Sequence, residues 1–251
     1  MKIVFNGEPP VSAEGMARNV EHCRALGLRA ISVQPANEKR LAIVGGGPSV
    51  LQHVEELKGW DGDILAINGA CAWLRERGID STFFSLDPDG IVAKWAVGAT
   101  KALLCSRSDP KAFEVLKDAD VQVFHLHIDE KGGIVCGTST ATAAFHVAAV
   151  LGYRKVTFFG CESSYEGQTH LYFNEHLPHR MVVKCGENEY LTRPDFYVQA
   201  QELSEVIRLF PSHFEERCGG LLGAMVKCQE HDVTQVSPEL MKELTPLKAA
   251  A

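Results

Sequence analysis

Two aspartates and a run of glycines are the residues in this chain whose types and spacing suggest phosphate chemistry. Asp87 and Asp89 flank a proline after an apolar segment, and a second apolar segment runs directly into three glycines, a proline and a serine. Carboxylate oxygens suit Mg²⁺, which completes its shell with phosphate oxygens and water. Glycine amides at a strand-to-helix turn can bind a phosphate. Together the two motifs predict a nucleotide site with Asp87 as a catalytic residue, Asp87 and Asp89 as metal ligands, and Gly45, Gly46, Gly47 and Ser49 as cofactor-binding residues.

Both motifs also have a purely structural interpretation. Three glycines can form a tight strand-to-helix connection that binds nothing, and this run is neither a full G-x-G-x-x-G nor a Walker A loop. The sequence Asp-Pro-Asp-Gly is well suited to Asx-type turns. The residue types alone leave both interpretations open.

Further polar residues follow other predicted strands or open helices. Glu162 follows a strand, so its carboxylate can reach ribose hydroxyls or a metal, and His170 lies in a loop predicted to fold over the site as a base or phosphate donor. The start of an alanine-rich helix suits either a simple N-cap or a second phosphate or ribose contact. The additional predicted cofactor-binding residues are Asn68, Gly137, Thr138, Ser139 and Glu162.

The elements that position these residues alternate regularly from residue 41 onward. Continuous apolar strands alternating with helices predict an α/β, Rossmann-like, mostly parallel sheet with helices on both faces. Ligands in such sheets bind outside the carboxyl ends of the strands, so the segments that follow the strands should share one rim. The predicted strands cover residues 41–44, 63–67, 82–86, 102–105, 121–126 and 156–159, and the rim segments are 45–49, 68, 87–89 and 161–164.

The remaining segments predict a division into three parts. Residues 1–40 form a small N-terminal lead-in unit, 41–236 the Rossmann-like nucleotide-binding domain, and 237–251 a C-terminal tail. The domain ends in an irregular lid region after residue 165. That region includes a short hairpin over 181–192, and a helix follows from about residue 193 to 209.

The net charge and the hydrophobic pattern favour small molecules as the partners of this protein. The 251 residues are 45% hydrophobic and carry a formal charge of −7, which argues against a nucleic acid or an anionic membrane surface as the main partner. No apolar run approaches the ~20 residues of a membrane span, and no signal peptide is recognisable at the start. We therefore expect a cytoplasmic protein that binds a nucleotide and an acceptor substrate. The sequence leaves open whether it forms a homo-oligomer.

The motifs, taken in order, resemble the archaeal-type 6-hydroxymethylpterin diphosphokinase (MptE-like) family. That resemblance implies transfer of diphosphate from ATP, the co-substrate, to the hydroxymethyl group of a reduced pterin, with Mg²⁺ as cofactor. It also implies that residues 45–49 and 137–139 cradle phosphates and that Asp87 holds the metal. Glu162 stands where the family usually has aspartate. The matching segments are Val44–Ser49, Ala66–Gly69, Phe84–Pro88, Gly137–Ala143, Leu151–Lys155, Phe159–Tyr165 and His170.

Two alternatives compete with a diphosphokinase. Bacterial sialyltransferases that use a CMP-activated sugar are similar in their Gly-Pro-Ser turn, in an asparagine after the next strand, and in a Leu-Gly-Tyr-x-Lys segment before a Gly-x-acid motif. In such a glycosyltransferase Asn68 would contact the nucleotide, His170 could serve as the base, and no metal would be needed. The third hypothesis is a nucleotide-binding protein without catalysis, because a fold alone does not determine function.

Overall fold

Strands form where the chain has short apolar runs, because parallel strands covered by helices on both faces bury all of their side chains. The structure, a computed structural model, describes residues 11–165 and 180–243. The strands are β1 Arg29–Ala30, β2 Asn37–Val44, β3 Asp63–Ile67, β4 Thr82–Ser85, β5 Lys101–Cys105, β6 Asp120–Phe124, β7 Tyr153–Phe159, β8 Met181–Cys185, β9 Asn188–Thr192, β10 Phe214–Glu216 and β11 His231–Val236.

Helices connect most of these strands. A 3₁₀ helix, Pro48–His53, follows the glycine run and leads directly into α2. Within residues 11–165 and 180–243, no helix is long and apolar enough to cross a lipid bilayer. The α-helices are α1 Ala13–Ala25, α2 Val54–Lys58, α3 Ala70–Arg75, α4 Val92–Ala96, α5 Pro110–Val115, α6 Thr140–Val150, α7 Pro194–Leu209, α8 Gly220–Lys227 and α9 Pro238–Glu243.

The main sheet of the described chain is parallel throughout, with the strand order β1-β6-β5-β4-β3-β2-β7-β10. From β2 the chain adds strands outward to β6 and then returns through α6 to place β7 on the other side of β2. This reversal is a topological switch point, and ligands of open α/β sheets bind beside it at the carboxyl ends of the strands. The fold therefore predicts a ligand site beside the ends of β2 and β7.

The two faces of the sheet each carry an apolar layer. Successive strand residues alternate between them, so Leu41 and Ile43 pack with α6, α7 and α8, whereas Ala42 and Val44 pack with α2, α3, α4 and α5. A separate antiparallel sheet in the order β11-β8-β9 packs against α7 and α8. The predicted Rossmann-like fold with helices on both faces is confirmed.

Several predicted elements differ in their bounds. Strand β2 begins at residue 37 rather than 41, and the apolar segment 28–33 pairs with β6 only at Arg29 and Ala30. Part of the predicted lead-in unit is thus built into the main sheet, while the domain boundaries themselves stay a prediction. The hairpin is confirmed as β8 and β9, to which β11 adds a third strand. Residues 1–10 of the predicted lead-in unit and residues 166–179 of the predicted lid lie outside the described residues.

We predict that the layer between the sheet and α6 sets much of the stability. Phe84 is fully buried and stacks on Phe124, with ring centroids 5.3 Å apart. Phe84→Ala should lower the free energy of unfolding by about 3–5 kcal/mol, because it leaves a cavity in a packed layer. Urea unfolding measures the change. The matched control is Val33→Ala, at a side chain that is 82% exposed, where we expect a change within about 0.5 kcal/mol. Equal losses in the two variants would contradict this assignment of the core.

Candidate functional site

A cleft of about 580 Å³ opens at the carboxyl ends of β2, β3, β4 and β7, within the size range of small-molecule sites. It lies beside the switch point between β2 and β7. It brings together side chains or backbone from four separate segments that the sequence placed on one rim. The predicted site residues that line the cleft are Gly45, Gly46, Gly47, Asn68, Asp87, Thr138, Ser139 and Glu162.

Three predicted site residues of the described chain are not in the wall of the cleft. Ser49 contacts Glu162, and Gly137 packs against Thr142 and Glu202. Asp89 lies behind Asp87 in the turn that follows β4. His170 lies outside the described residues, so its role stays a prediction.

The glycine run allows a close contact between two parts of the chain's own backbone. The N–H of Gly45 donates to Phe159 O at 2.8 Å, and the N–H of Gly47 donates to Gly160 O at 2.9 Å. A Cβ on Gly45 would lie 2.3 Å from Gly160 O. Two of the three glycines therefore let the loop after β7 approach the end of β2. Among the described residues no group accepts a hydrogen bond from Gly46 N–H, which leaves that amide at the cleft for a ligand.

The chain supplies its own anion to the helix that follows the glycines. Glu162 is 93% buried and accepts from the N–H of Ser49 at 2.8 Å and from its hydroxyl at 2.9 Å. A Cβ on Gly47 would lie 2.0 Å from Oε2 of Glu162. The predicted anion-binding turn therefore binds the carboxylate of Glu162. Ser49 and Glu162 act as a structural pair at the base of the cleft.

The second predicted phosphate turn is organised in the same way. The N–H and the hydroxyl of Thr138 both donate to Glu202 of α7, at 3.1 and 3.0 Å. Ser139 is the N-cap of α6 and forms a capping box with Thr142. A Cβ on Gly137 would lie 2.5 Å from Cβ of Thr142. The structural interpretation of this segment as a helix cap therefore holds, although Thr138 and Ser139 still face the cleft.

Asn68 is held in an unusual conformation with an unsatisfied polar atom. Its φ is +50°, and its N–H donates to Phe84 O at 3.0 Å. Its side-chain Oδ1 is buried, and no described residue donates a hydrogen bond to it. Left-handed backbone and an orphaned buried acceptor both cost stability, and such features cluster at binding sites. The amide of Asn68 is suited to accept a hydrogen bond from a ligand hydroxyl or amino group.

Asp87 faces the cleft from a turn of successive Asx-type contacts. Its Oδ1 accepts from the N–H of Asp89 at 3.0 Å, and Asp89 in turn accepts from the N–H of Ile91 at 2.9 Å. No described residue donates to Oδ2 of Asp87. Burial raises the pKa of the Asp87 carboxyl above its usual value, and the amide of Asp89 partly offsets this. Asp87 is therefore a poorly compensated carboxylate at the cleft, and no described residue donates a hydrogen bond to its second oxygen.

The residues fit a metal only with help from the substrate. Across residues 11–165 and 180–243, no three His, Cys, Asp or Glu side chains are grouped so as to hold an ion. Mg²⁺ commonly uses one or two carboxylates and takes its other ligands from phosphate and water. Oδ2 of Asp87 fits that role, whereas Asp89 does not reach the cleft.

Residues from the first turns of α7 close the cleft, and they are not among the predicted site residues. Nε of Arg193 lies 2.7 Å from Oδ1 of Asp195, and its guanidinium lies 4.6 Å from the ring centroid of Phe196. Gln199 donates to the hydroxyl of Ser163, whose φ is +57°. The site residues were predicted from segments that follow strands of the main sheet, whereas α7 follows the separate hairpin. The polar first turn Arg-Pro-Asp was the available signal.

Comparisons with known proteins agree with this fold. The family described as 6-hydroxymethylpterin diphosphokinase MptE-like matches residues 16–168, more than half of the chain. The solved structure of MAf glycosyltransferase from Magnetospirillum magneticum AMB-1 is similar, with a TM-score of 0.64 and 15% identity over 85% of this chain. The similar region is 38% of that glycosyltransferase, so the present chain spans well under half of its length. A search of curated proteins finds no match.

A mammalian sialyltransferase, solved in complex with Gal-beta-1-3GalNAc-ortho-nitrophenol, is a more distant neighbour. Its TM-score is 0.42 with 9% identity, over 86% of this chain and 89% of that one.

We predict that the contact between Glu162 and Ser49 stabilises the fold. Glu162→Ala should lower the free energy of unfolding by about 2–3 kcal/mol, because it leaves a buried amide and hydroxyl without their charged acceptor. Ser49→Ala should cost about 1 kcal/mol, and the double variant should resemble Glu162→Ala because the two residues share one interaction. Denaturant unfolding of the three variants measures the coupling. Glu55→Ala, at an exposed pair with Lys58, is the control. Strict additivity would contradict the pairing.

We predict that Asp87 lowers stability at neutral pH. Its raised pKa means that the folded state disfavours the ionised carboxyl, so stability falls as pH rises from the ordinary aspartate range through the folded pKa. Asp87→Asn keeps an oxygen for the Asp89 amide and should raise Tm at pH 7. The gain should vanish in acid, where both side chains are neutral. Asp80→Asn, at an exposed ion pair, should give no gain. A pH-independent difference in Tm would contradict this.

Proposed function

The chain belongs to the 6-hydroxymethylpterin diphosphokinase MptE-like family, and from that premise we propose that its cleft transfers diphosphate from ATP to a hydroxymethylpterin-like alcohol with the aid of Mg²⁺. The observation that carries the proposal is the convergence of Gly46, Asn68 and Asp87 on one cleft at the switch point of the sheet. Each offers a backbone amide, an amide oxygen or a carboxylate oxygen that no other described residue engages.

Each of these groups suits a different part of the nucleotide. The orphaned acceptor of Asn68 suits a ribose hydroxyl or an exocyclic amino group. The Gly46 N–H suits a phosphate oxygen, because it lines the cleft and donates to no described residue. The neighbouring amides of Gly45 and Gly47 already donate to Phe159 O and Gly160 O. Oδ2 of Asp87 would hold the cation. Bound there, Mg²⁺ supplies positive charge to the phosphates of ATP.

The proposed reaction needs positioning more than covalent chemistry. The acceptor oxygen forms a bond to the β-phosphorus of ATP, the bond from that phosphorus to the oxygen bridging to the α-phosphate breaks, and AMP leaves. The hydroxyl proton passes to a base, for which His170 stays the predicted residue. Catalysis of such a transfer comes mainly from alignment and charge neutralisation, so a rigid rim with few polar groups is sufficient.

A glycosyltransferase that uses a nucleotide-activated sugar is the second candidate. The likeness to MAf glycosyltransferase extends over 85% of this chain and therefore includes parts beyond the family match. A cleft with a single well-placed carboxylate also suits a reaction in which no protein-bound metal takes part. The same Asn68 would then contact the nucleotide of the sugar donor.

We predict Mg²⁺-dependent binding of ATP that is weakened at least tenfold by Asp87→Asn, because loss of a ligand from a sparsely liganded ion is costly. Isothermal titration calorimetry with and without Mg²⁺ measures it. Asp89→Asn is the matched control, since it removes a carboxylate two residues away that does not line the cleft. Release of AMP from ATP only in the presence of a reduced hydroxymethylpterin would support the reaction itself.

The other outcomes separate the competing functions. Metal-independent binding of CMP or CDP in preference to ATP would contradict the diphosphokinase and favour the glycosyltransferase. Tight nucleotide binding without turnover of ATP or of a nucleotide sugar would favour a binding protein without catalysis. Absence of any nucleotide binding would overturn the whole proposal.

A further inference from the structure

We infer that Arg193, at the start of α7, binds the phosphate groups of the nucleotide and exchanges its contact with Asp195 for one with the ligand. The inference rests on the proposed function, because it concerns the same cleft. It goes further in assigning the phosphate-recognising cation to a residue outside the family match, which ends at residue 168.

The charge of the cleft calls for such a residue. Among the described residues that line it, the acidic side chains are Asp87, Glu162 and Asp195, and the basic side chain is Arg193. A nucleoside diphosphate or triphosphate adds further negative charge to this site. Like charges brought together in a partly desolvated cleft repel each other strongly unless a cation lies between them. Arg193 is the described lining residue that can supply that cation.

The guanidinium is already oriented for this role. It lies over the ring of Phe196, with 4.6 Å between Cζ and the ring centroid, and its Nε lies 2.7 and 2.9 Å from the two carboxylate oxygens of Asp195. The side chain is 30% exposed, so the group borders the cleft and is accessible to a ligand. A planar guanidinium held against an aromatic ring loses little freedom on binding phosphate, which it can contact through two N–H groups at once.

Asp195 distinguishes this hypothesis from a purely structural one. If the pair only stabilises the first turn of α7, loss of either partner should have the same kind of effect. If Arg193 binds phosphate, Asp195 competes with the ligand for the guanidinium. The two substitutions should then change nucleotide affinity in opposite directions.

The experiment compares adenosine, AMP and ADP by calorimetry on the full chain, with Mg²⁺ at fixed concentration. Arg193→Gln should weaken ADP binding by about tenfold to hundredfold, as expected for loss of a charge-assisted contact, and leave adenosine binding unchanged. Asp195→Asn should bind ADP more tightly than the unaltered chain, because it removes the competitor for the guanidinium. Arg29→Gln, which removes an exposed arginine at the amino end of the sheet, is the matched charge control and should change nothing.

The outcomes separate this inference from the proposed function. If the unaltered chain binds ADP and Arg193→Gln binds it equally well, the inference is overturned and the proposed function stands. Parallel losses in Arg193→Gln and Asp195→Asn, extending to adenosine, would also overturn it. If the unaltered chain binds no nucleotide, cytidine nucleotides included, the proposed function fails first. Should Arg193→Gln not fold, Arg193→Lys replaces it. We then expect a smaller loss of ADP affinity and, again, no change in adenosine affinity.

Discussion

The contact between the end of β2 and the end of β7 is the constraint on which the site depends. Gly45 and Gly47 pair with the backbone around Gly160, and the carboxylate of Glu162 closes the contact on Ser49. Neither glycine tolerates a Cβ there, because backbone or carboxylate atoms occupy the space. This close approach brings the loop after β7 to the switch point, and every other group of the cleft is placed relative to it.

Two internal carboxylates then define what is left for a ligand. Glu162 takes the amide of Ser49 and Glu202 takes the amide of Thr138, so both turns with the strongest phosphate-binding signal bind protein anions. What remains at the cleft is less conspicuous: the amide of Gly46, the amide oxygen of Asn68 and one oxygen of Asp87. Each of the two side chains carries a cost in the folded chain, through an unsatisfied acceptor or a desolvated charge. Such costs are typical of residues retained for binding.

The sequence was sufficient for the six central strands, β2 to β7, and for the rim, because both follow from local patterns. Apolar runs predict the strands, and parallel strands necessarily bring the residues after them to one edge, as Asn68 and Asp87 show. The hydrogen-bond partner of each rim residue was not predictable. Ser49 and Glu162 are 113 positions apart, and nothing local shows that one binds the other. The segment 210–236, with β10, α8 and β11, has short elements without a strong period, and the place of Arg193 depends on how a separate sheet packs on α7.

The balance of charge explains why the cleft combines these parts. Three carboxylates line the cleft among the described residues, and such a cleft is poorly suited to a polyphosphate unless each carboxylate has a partner. Glu162 has Ser49 and Asp195 has Arg193, whereas Asp87 accepts from only one backbone amide of the described chain. The uncompensated carboxylate therefore lies where a cation carried by the nucleotide could neutralise it. For the proposed nucleotide binding, stability and function are therefore opposed at Asp87, whereas the contact of Glu162 with Ser49 serves both. This asymmetry among three acidic side chains, rather than any single motif, is what supports the proposed nucleotide site.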